Sequence, residues 1–209
     1  MLYHLPLSSE THVNKKMFVA ADDLLVDSFK LAADIYASGF KPDFLVGLWR
    51  GGASVGIAVQ EGLDYLGVPT DHIAIRTCYS GVDAYPKMIK SSKPIRVQGL
   101  RYLLDRITAN QSMLIVDDVY SSGSSVRAVV DKLRRKSRRN LPTDIRIATV
   151  WYRPAKCTVR PPDYFVHKTD QWLVLPYELA GLSVAEICKH KPELGPLFRE
   201  LQSVSARPA

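Results

Sequence analysis

Ser112-Met113-Leu114-Ile115-Val116-Asp117-Asp118-Val119-Tyr120-Ser121-Ser122-Gly123-Ser124-Ser125-Val126 is the stretch from which the rest of the chain can be read. The apolar run Met113–Val116 predicts a buried strand. Two carboxylates, Asp117 and Asp118, follow at the strand's end. Four serines around Gly123 then lead into a helical pattern from Val126 to Leu133. A strand, a tight loop and a helix start, in that order, make a nest for a phosphate: hydroxyls and backbone N–H groups converge there with the positive end of the helix dipole. Gly123 lets the backbone turn and approach a ligand closely. An ionised aspartate only accepts hydrogen bonds, so the paired carboxylates suit a ribose diol. The plainer alternatives are an N-cap with turn residues for the serines and a solvated strand end for the acids.

Outward from this stretch, strands and helices alternate. Asp22–Ser38 has the spacing of an amphipathic helix, with Leu24, Leu25, Phe29, Leu31, Ala32 and Ile35 on one side and Gly39 as its stop. Phe44–Trp49 predicts a strand, Arg50-Gly51-Gly52 a turn and Ala53–Leu66 a helix. His72–Arg76 is a second strand. Tyr79–Arg96 is polar, contains Pro86 and Pro94, and is long enough for a lid. Gly99–Ile107 predicts a short helix and Asp144–Tyr152 a strand, with Tyr164–Val166 and Trp172–Val174 expected to pair with each other. Met1–Lys16 shows little periodicity and is expected to be an extended arm. The alternation predicts an α/β fold with a mostly parallel central sheet flanked by helices. One domain spanning residues 1–209 is expected, with a small C-terminal hood from about 153 to 180. Ligands of such sheets bind beyond the carboxyl ends of the strands, where Arg50, Tyr79, Asp117 and Ser121 are expected.

Composition narrows the class. The chain has 209 residues and is 46% hydrophobic, enough for a core of ordinary size. No apolar run approaches a membrane span, and the N-terminus lacks an export pattern. Cys78, Cys157 and Cys188 are widely spaced and form no CxxC pair, which suits reduced thiols in a cytoplasm. The histidines form no zinc signature. Net charge is +7, and Lys132–Arg139 alone carries six of those charges. That cluster reads either as a contact for nucleic acid or acidic lipid or as the solvated C-terminal end of a helix, where cations favour the dipole.

The run Val116–Ser125 resembles the signature of the type I phosphoribosyltransferases: apolar residues, two acids, and a small-hydroxyl-Gly-x-hydroxyl loop. Trp49-Arg50-Gly51-Gly52, Thr77-Cys78-Tyr79-Ser80 and Asp170-Gln171-Trp172-Leu173 are similar to that family's pyrophosphate loop, flexible lid and base-binding hood, in the same order. The resemblance extends over about Phe44–Glu178 and is closest to the branch that uses 6-oxopurines. It implies a purine-salvage transfer of 5-phosphoribosyl from phosphoribosyl pyrophosphate to a purine base, giving a nucleoside monophosphate and pyrophosphate.

The roles it implies are these. Ser121, Ser122, Gly123, Ser124 and Ser125 hold the 5′-phosphate. Asp117 and Asp118 hold the ribose hydroxyls, directly or through magnesium, and their charge stabilises an oxocarbenium-like ribose. Arg50, Gly51 and Gly52 hold the pyrophosphate, with a cis peptide expected at Trp49-Arg50. Tyr79 and Ser80 belong to the lid that excludes water. Trp172 stacks on the purine, Leu173 offers its backbone to the base edge, and Glu178 lies near the magnesium. Magnesium needs few protein carboxylates beside substrate oxygens and waters. A homodimer or homotetramer is implied; from composition no membrane partner is expected, and nucleic acid is not the expected partner.

The sequence departs from the family at two places. Ser121 stands where many 6-oxopurine enzymes carry a proton-accepting aspartate. Arg153 stands where they carry a lysine for the purine 6-oxygen, and Lys156 is a rival for that role; a planar guanidinium is not a point ammonium. Val174 offers no acceptor for a 2-amino group, which favours hypoxanthine over guanine, with guanine or xanthine the other bases the resemblance allows. The alternatives are a non-catalytic nucleotide-sensing regulator on the same fold and an enzyme for another nitrogenous base.

Overall fold

The computed structural model describes residues 16–79 and 95–197. They fall into two compact units, one of Asp22–Asp170 and one formed by the described parts of Met1–Ala21 and Gln171–Ala209. Arg153 and Lys156 therefore belong to the first unit, and Trp172, Leu173 and Glu178 to the second.

The first unit carries a six-stranded sheet. In chain order its members are α1 (Ala21–Ala37), β2 (Phe44–Trp49), α2 (Gly51–Tyr65), β3 (Asp71–Tyr79), β4 (Ile95–Gln98), α3 (Arg101–Leu104), β5 (Ser112–Tyr120), α4 (Ser124–Ser137), β6 (Asp144–Tyr152) and β7 (Tyr164–Lys168). The strand order is β4-β3-β2-β5-β6-β7. All pairings are parallel except that of β4 with β3. Central strands buried on both faces must be apolar throughout. Accordingly Phe44–Leu48 and Met113–Val116 are all buried. Val126, Val129 and Leu133 of α4 pack with Phe44, Val46, Leu48, Met113, Ile115 and Ile147 in one cluster.

Leu24, Leu31, Ala32 and Ile35 recur at helical spacing on the buried side of α1. Asp27 is buried with them. Burial raises its carboxyl, but hydrogen bonds from Lys30 at 2.8 Å and with His167 Nε2 at 2.7 Å outweigh this and hold it below the usual value. The acid thereby ties α1 to β7.

The second unit is smaller. β1 (Lys16–Phe18) pairs in parallel with β8 (Trp172–Val174), and α5 (Val184–His190) follows. A capping box between Ser183 and Glu186 starts α5. Lys16 Nζ lies 2.7 Å from Glu186, which holds that carboxyl down at about 2. Phe18 stacks on His190 at 3.8 Å.

Several elements differ from the sequence expectation. Tyr164–Val166 and Trp172–Val174 do not pair with each other: β7 joins β6, and β8 joins the N-terminal strand β1. Lys16 opens that strand, while the rest of the expected arm, 1–15, lies outside the described residues. β5 runs on through Asp117 and Asp118 to Tyr120, because Asp117, Val119 and Tyr120 stay in register with Thr149, Trp151 and Tyr152 of β6. The carboxylates thus lie inside a strand and not after it. β3 reaches Tyr79, which pairs with Ile95 of β4. The expected helix at Gly99–Ile107 contracts to the single turn of α3.

Candidate functional site

The parallel strands of the first unit bring Trp49, Tyr79, Tyr120 and Tyr152 to their carboxyl ends on one edge of the sheet. The described residues that follow these strands are Arg50, Ser121 and Arg153, so one edge collects the expected pyrophosphate turn, serine loop and base-side cation. Tyr79 and Ile95, which flank the expected lid, pair with each other across β3 and β4. Ser80, and the rest of the expected lid through 94, lie outside the described residues.

The first turn is closed by backbone packing. The Trp49-Arg50 peptide is cis, as the resemblance implied. Arg50 is exposed, and α2 begins at once with Gly51 and Gly52, both buried. A Cβ on Gly52 would overlap the Val116 carbonyl oxygen and would come within 3.1 Å of Asp117 Oδ1. Gly52 is therefore what lets the start of α2 rest on β5, and it sets the Arg50 turn directly against the first carboxylate. Gly47 serves the same approach from below, since a Cβ there would stand 2.9 Å from the Gly52 carbonyl oxygen.

The second turn is closed by side chains. Gly123 has φ +72°, and a Cβ on it would overlap Val159 and the Tyr120 hydroxyl. Tyr120 is buried and donates its hydroxyl to the Arg160 carbonyl at 2.9 Å; burial pushes its phenol up to about 12. Ser122 Oγ accepts from the Ser124 N–H at 3.2 Å and donates to Ser124 Oγ at 3.1 Å. The Ser122 carbonyl accepts from both the backbone N–H and the hydroxyl of Thr158, at 3.3 and 3.1 Å. Gly123 gives α4 no side-chain cap, so apart from the Ser124 N–H, which Ser122 Oγ takes, its first-turn N–H groups are left for an incoming acceptor. The Ser121 and Ser125 hydroxyls make no hydrogen bond among the described residues. Arg153 is drawn to the same edge by its N–H, which donates to the Tyr120 carbonyl at 2.9 Å. Its guanidinium donates to the Asp170 carbonyl at 3.1 Å, and Lys156 is exposed one turn further on.

The paired acids lie between these turns. Both are half-buried, and Asp117 Oδ1 accepts from the Asp118 N–H at 3.1 Å while Asp118 Oδ1 accepts from the Val119 N–H at 2.8 Å. Burial, with the Asp118 charge second, pushes the Asp117 carboxyl well above its usual value. Two crowded carboxylates of this kind fit a divalent cation, which relieves their repulsion and leaves its other positions to substrate oxygens and water. Among the described residues no group of three or more His, Cys, Asp or Glu gathers around them, so a cation there would be held mainly by the ligand.

In the second unit Trp172 is half-buried in β8, in register with Lys16, and Leu173 is buried opposite Met17. Glu178 closes a turn on Leu175: the Leu175 N–H donates to Glu178 Oε2 at 3.2 Å and the Glu178 N–H to the Leu175 carbonyl at 3.0 Å.

Thr158, Tyr120 and Val159 shape the serine loop, yet nothing in the local sequence singles them out; only the return of the chain after β6 brings Thr158 and Val159 to it. The basic cluster has an internal use that spacing also concealed. Lys132 donates to the Val97 carbonyl of β4 at 2.7 Å, and Arg134 pairs with Asp131 at 3.1 Å. A cleft of about 840 Å³ runs along α4 and reaches Tyr120 and Val159, but it is lined by neither Arg50, Asp117, Asp118 nor Ser121–Ser125. Its Arg134, Arg146 and Arg160 are each paired with an aspartate of the same cleft, at 3.1, 3.1 and 2.8 Å, and Arg127 is the one further charge in its lining.

A family model described as "Phosphoribosyl transferase domain" matches residues 17–180. Among solved structures, a purine phosphoribosyltransferase from Pyrococcus horikoshii is 21% identical, with TM-score 0.62 over 80% of this chain and 97% of that one. A hypothetical protein from Neisseria gonorrhoeae with bound ppGpp is 18% identical, with TM-score 0.66 over 87% and 96%. A xanthine-guanine-hypoxanthine phosphoribosyltransferase from Helicobacter pylori is 17% identical, with TM-score 0.60 over 79% and 95%. Comparison with curated protein sequences gave no match.

Proposed function

Because this chain belongs to the phosphoribosyl transferase domain family, we propose that it transfers 5-phosphoribosyl from phosphoribosyl pyrophosphate to a 6-oxopurine, with hypoxanthine as the favoured base. The observation that carries this reading is the approach of the Arg50 turn to Asp117 on the strand that leads into the serine loop. Gly52, which starts the Arg50 turn, rests on β5 at Val116 and Asp117, and the same strand runs three residues further into the serine loop. A ligand with a phosphate, a diol and a diphosphate in sequence matches that order of donors and acceptors.

In this proposal the uncapped N–H groups of α4 and the hydroxyls of Ser121, Ser122, Ser124 and Ser125 hold the 5′-phosphate. Asp117 and Asp118 accept from the ribose hydroxyls, and Arg50 with the first N–H groups of α2 holds the diphosphate. Asp117 and Asp118 would hold magnesium, which phosphoribosyltransferases of this family generally use, and its charge would offset that of the leaving group. The purine nitrogen attacks C1′ as the bond to pyrophosphate breaks. Positive charge that builds on the ribose ring faces the carboxylates, and fixed charge already in place lowers that barrier. Serine at 121 cannot accept the purine proton at neutral pH, so that proton leaves with pyrophosphate or water. Trp172 and Leu173 are proposed for the base, Arg153 or Lys156 for its 6-oxygen, and Tyr79 with Ser80 for water exclusion. Purified protein with magnesium, phosphoribosyl pyrophosphate and hypoxanthine should release pyrophosphate. Silence with hypoxanthine, guanine, xanthine and adenine alike would remove the reading.

A nucleotide-sensing regulator is the second reading, favoured by Ser121 and by the Neisseria gonorrhoeae neighbour, which was solved with ppGpp bound. It predicts saturable binding of ppGpp in a calorimeter together with a silent base panel. Turnover of any purine base would end it.

A further inference from the structure

The cleft along α4 is left unused by the proposed activity. Its volume, about 840 Å³, falls in the range of about 300–1,000 Å³ that small-molecule sites occupy. The floor is apolar: Val126 and Ile147 are buried, and Val130, Leu141, Ile145 and Val159 are half-buried. One wall is a single face of α4, because Arg127, Val130, Asp131 and Arg134 recur at i, i+3, i+4 and i+7. The charges above this floor are already committed, with one exception. Both nitrogens that Arg146 turns to Asp144 lie 3.1 Å from its oxygens, and a third donates to the Tyr164 hydroxyl at 2.7 Å. Arg160 donates to both Asp163 oxygens and to the Ile145 carbonyl, and Arg134 pairs with Asp131. Arg127 is exposed, and its side chain has no partner among the described residues. The lining holds four arginines and three aspartates, so a charge of +1 remains, and it sits on Arg127.

We propose that this cleft is a second ligand site, for a small molecule with an apolar body and a single anionic group, and that its occupancy is linked to the serine loop. The floor takes the body by burial, and Arg127 takes the anion through charge-assisted hydrogen bonds. A polyanion would meet three aspartates with only one free cation, and a cation would find no free acid. A neutral molecule would cover Arg127 without pairing it, which is costly. The link follows from the inner end of the cleft, which reaches Tyr120 and Val159, the two side chains beneath Gly123. Val159 lies on the irregular return of the chain at 157–163, whose Thr158 bonds the Ser122 carbonyl. Segments without regular structure open cheaply, so a ligand packed on Val159 steadies what supports the loop. Ligand in the cleft and phosphate in the loop then strengthen each other by the same factor in both directions. The site stands apart from the proposed activity; its link to the loop rests on the loop holding the 5′-phosphate.

Anilinonaphthalene sulfonate has the required composition, and it reports apolar surface by binding there. Titrated into the full chain, it should bind saturably. Arg127→Glu should weaken that binding at least about tenfold, the weight of a charged hydrogen bond, while Arg127→Lys should keep most of it. Phenylnaphthylamine, the same body without the sulfonate, should bind about tenfold more weakly than the sulfonate. Exposed apolar residues elsewhere also attract such a dye, so Ile57→Lys on α2, where Ile57 is 66% exposed, serves as the control and should leave binding unchanged. With the cleft filled, KM for phosphoribosyl pyrophosphate should fall about fivefold in the wild type and stay put in Arg127→Glu. If no base turns over, the calorimetric affinity for phosphoribosyl pyrophosphate is read instead, which separates failure of the link from failure of the proposed activity. Absence of saturable binding, binding that survives Arg127→Glu, or a neutral dye that binds equally well would overturn the site. An unchanged affinity for phosphoribosyl pyrophosphate with the cleft filled would overturn its link to the serine loop.

Discussion

The turns after β2 and β5 do the same architectural job, passing from a strand into a helix at the same edge of the sheet, but they are held in opposite ways. The Arg50-Gly51-Gly52 turn is fixed by backbone against backbone, with Gly52 on Val116 and Asp117. The Ser121–Ser125 turn is fixed by side chains, with Tyr120 and Val159 under Gly123 and Thr158 on the Ser122 carbonyl. In the first, Gly51 and Gly52 shape the turn and are the fold itself, and only the exposed Arg50 side chain is spare. In the second, the fold engages Ser122, Ser124 and Gly123, and leaves Ser121, Ser125 and the helix donors over. Fold and ligand chemistry should therefore be inseparable at the first turn and separable at the second.

The largest effect expected from that contrast is on Gly52. Gly52→Ala places a Cβ into the Val116 carbonyl and the Asp117 backbone, neither of which can rotate aside. Overpacking of this kind costs about 3 kcal/mol or more. A calorimetric scan should show a fall in the thermal midpoint of several degrees or no cooperative transition. Gly123→Ala meets the ends of two side chains, Val159 and Tyr120, and a positive φ. It should cost about 1–3 kcal/mol. If Gly123→Ala proves the more damaging of the two, the contrast between a backbone-fixed and a side-chain-fixed turn is wrong.

Asp117 stands between the two turns and should separate stability from activity. Burial and the neighbouring Asp118 raise its folded-state value above the ordinary 3.8. The folded protein thus keeps this proton at pH values where the unfolded chain has lost it. The stability that follows is complete below the unfolded value and is lost as pH rises through the folded one. At neutral pH the carboxylate is a burden on the fold. Asp117→Asn should raise the thermal midpoint at pH 7, with the gain shrinking as pH falls toward 4. The same change should lower kcat/KM for phosphoribosyl pyrophosphate by about 100-fold, the usual loss for one group aimed at developing charge. A variant destabilised at pH 7 would mean that the acid supports the fold.

How much of this could be read from the chain alone follows the same division. The apolar run Met113–Val116 and the serines around Gly123 announce a strand, a loop and a helix, because the signal lies within fifteen consecutive residues. The Arg50 turn was legible as a turn, but the spacing put its helix at Ala53, two residues late. Glycine has a low helix propensity, and only the contact with β5 explains why Gly51 and Gly52 open α2. β4 was hidden for a different reason: four residues, two of them the exposed Arg96 and Gln98, adjoin a polar stretch and carry no period of their own. β8 was paired with its neighbour in sequence, whereas its partner Lys16–Phe18 comes from the other end of the chain. No local pattern encodes such a choice, and the role of Thr158 under the serine loop was out of reach for the same reason.

The smallest effects sharpen the comparison most, because they ask whether the second turn's spare groups are spare only to the fold. Thr158→Val removes the hydroxyl that donates to the Ser122 carbonyl, while the backbone N–H still does. It should cost about 1 kcal/mol of stability and raise KM for phosphoribosyl pyrophosphate through a looser loop. Ser125→Ala removes a hydroxyl that bonds nothing among the described residues. Stability should stay within about 0.5 kcal/mol of the wild type. If the hydroxyl meets the 5′-phosphate, KM for phosphoribosyl pyrophosphate should rise about 5–10-fold, the weight of one hydrogen bond to a charged group. An interaction made equally in ground and transition states leaves kcat unchanged. Inorganic phosphate, competing for the same cup, should inhibit the variant less than the wild type. A KM that does not move would leave the serine no more than a solvated turn residue and would shift the phosphate onto the N–H groups of α4 alone.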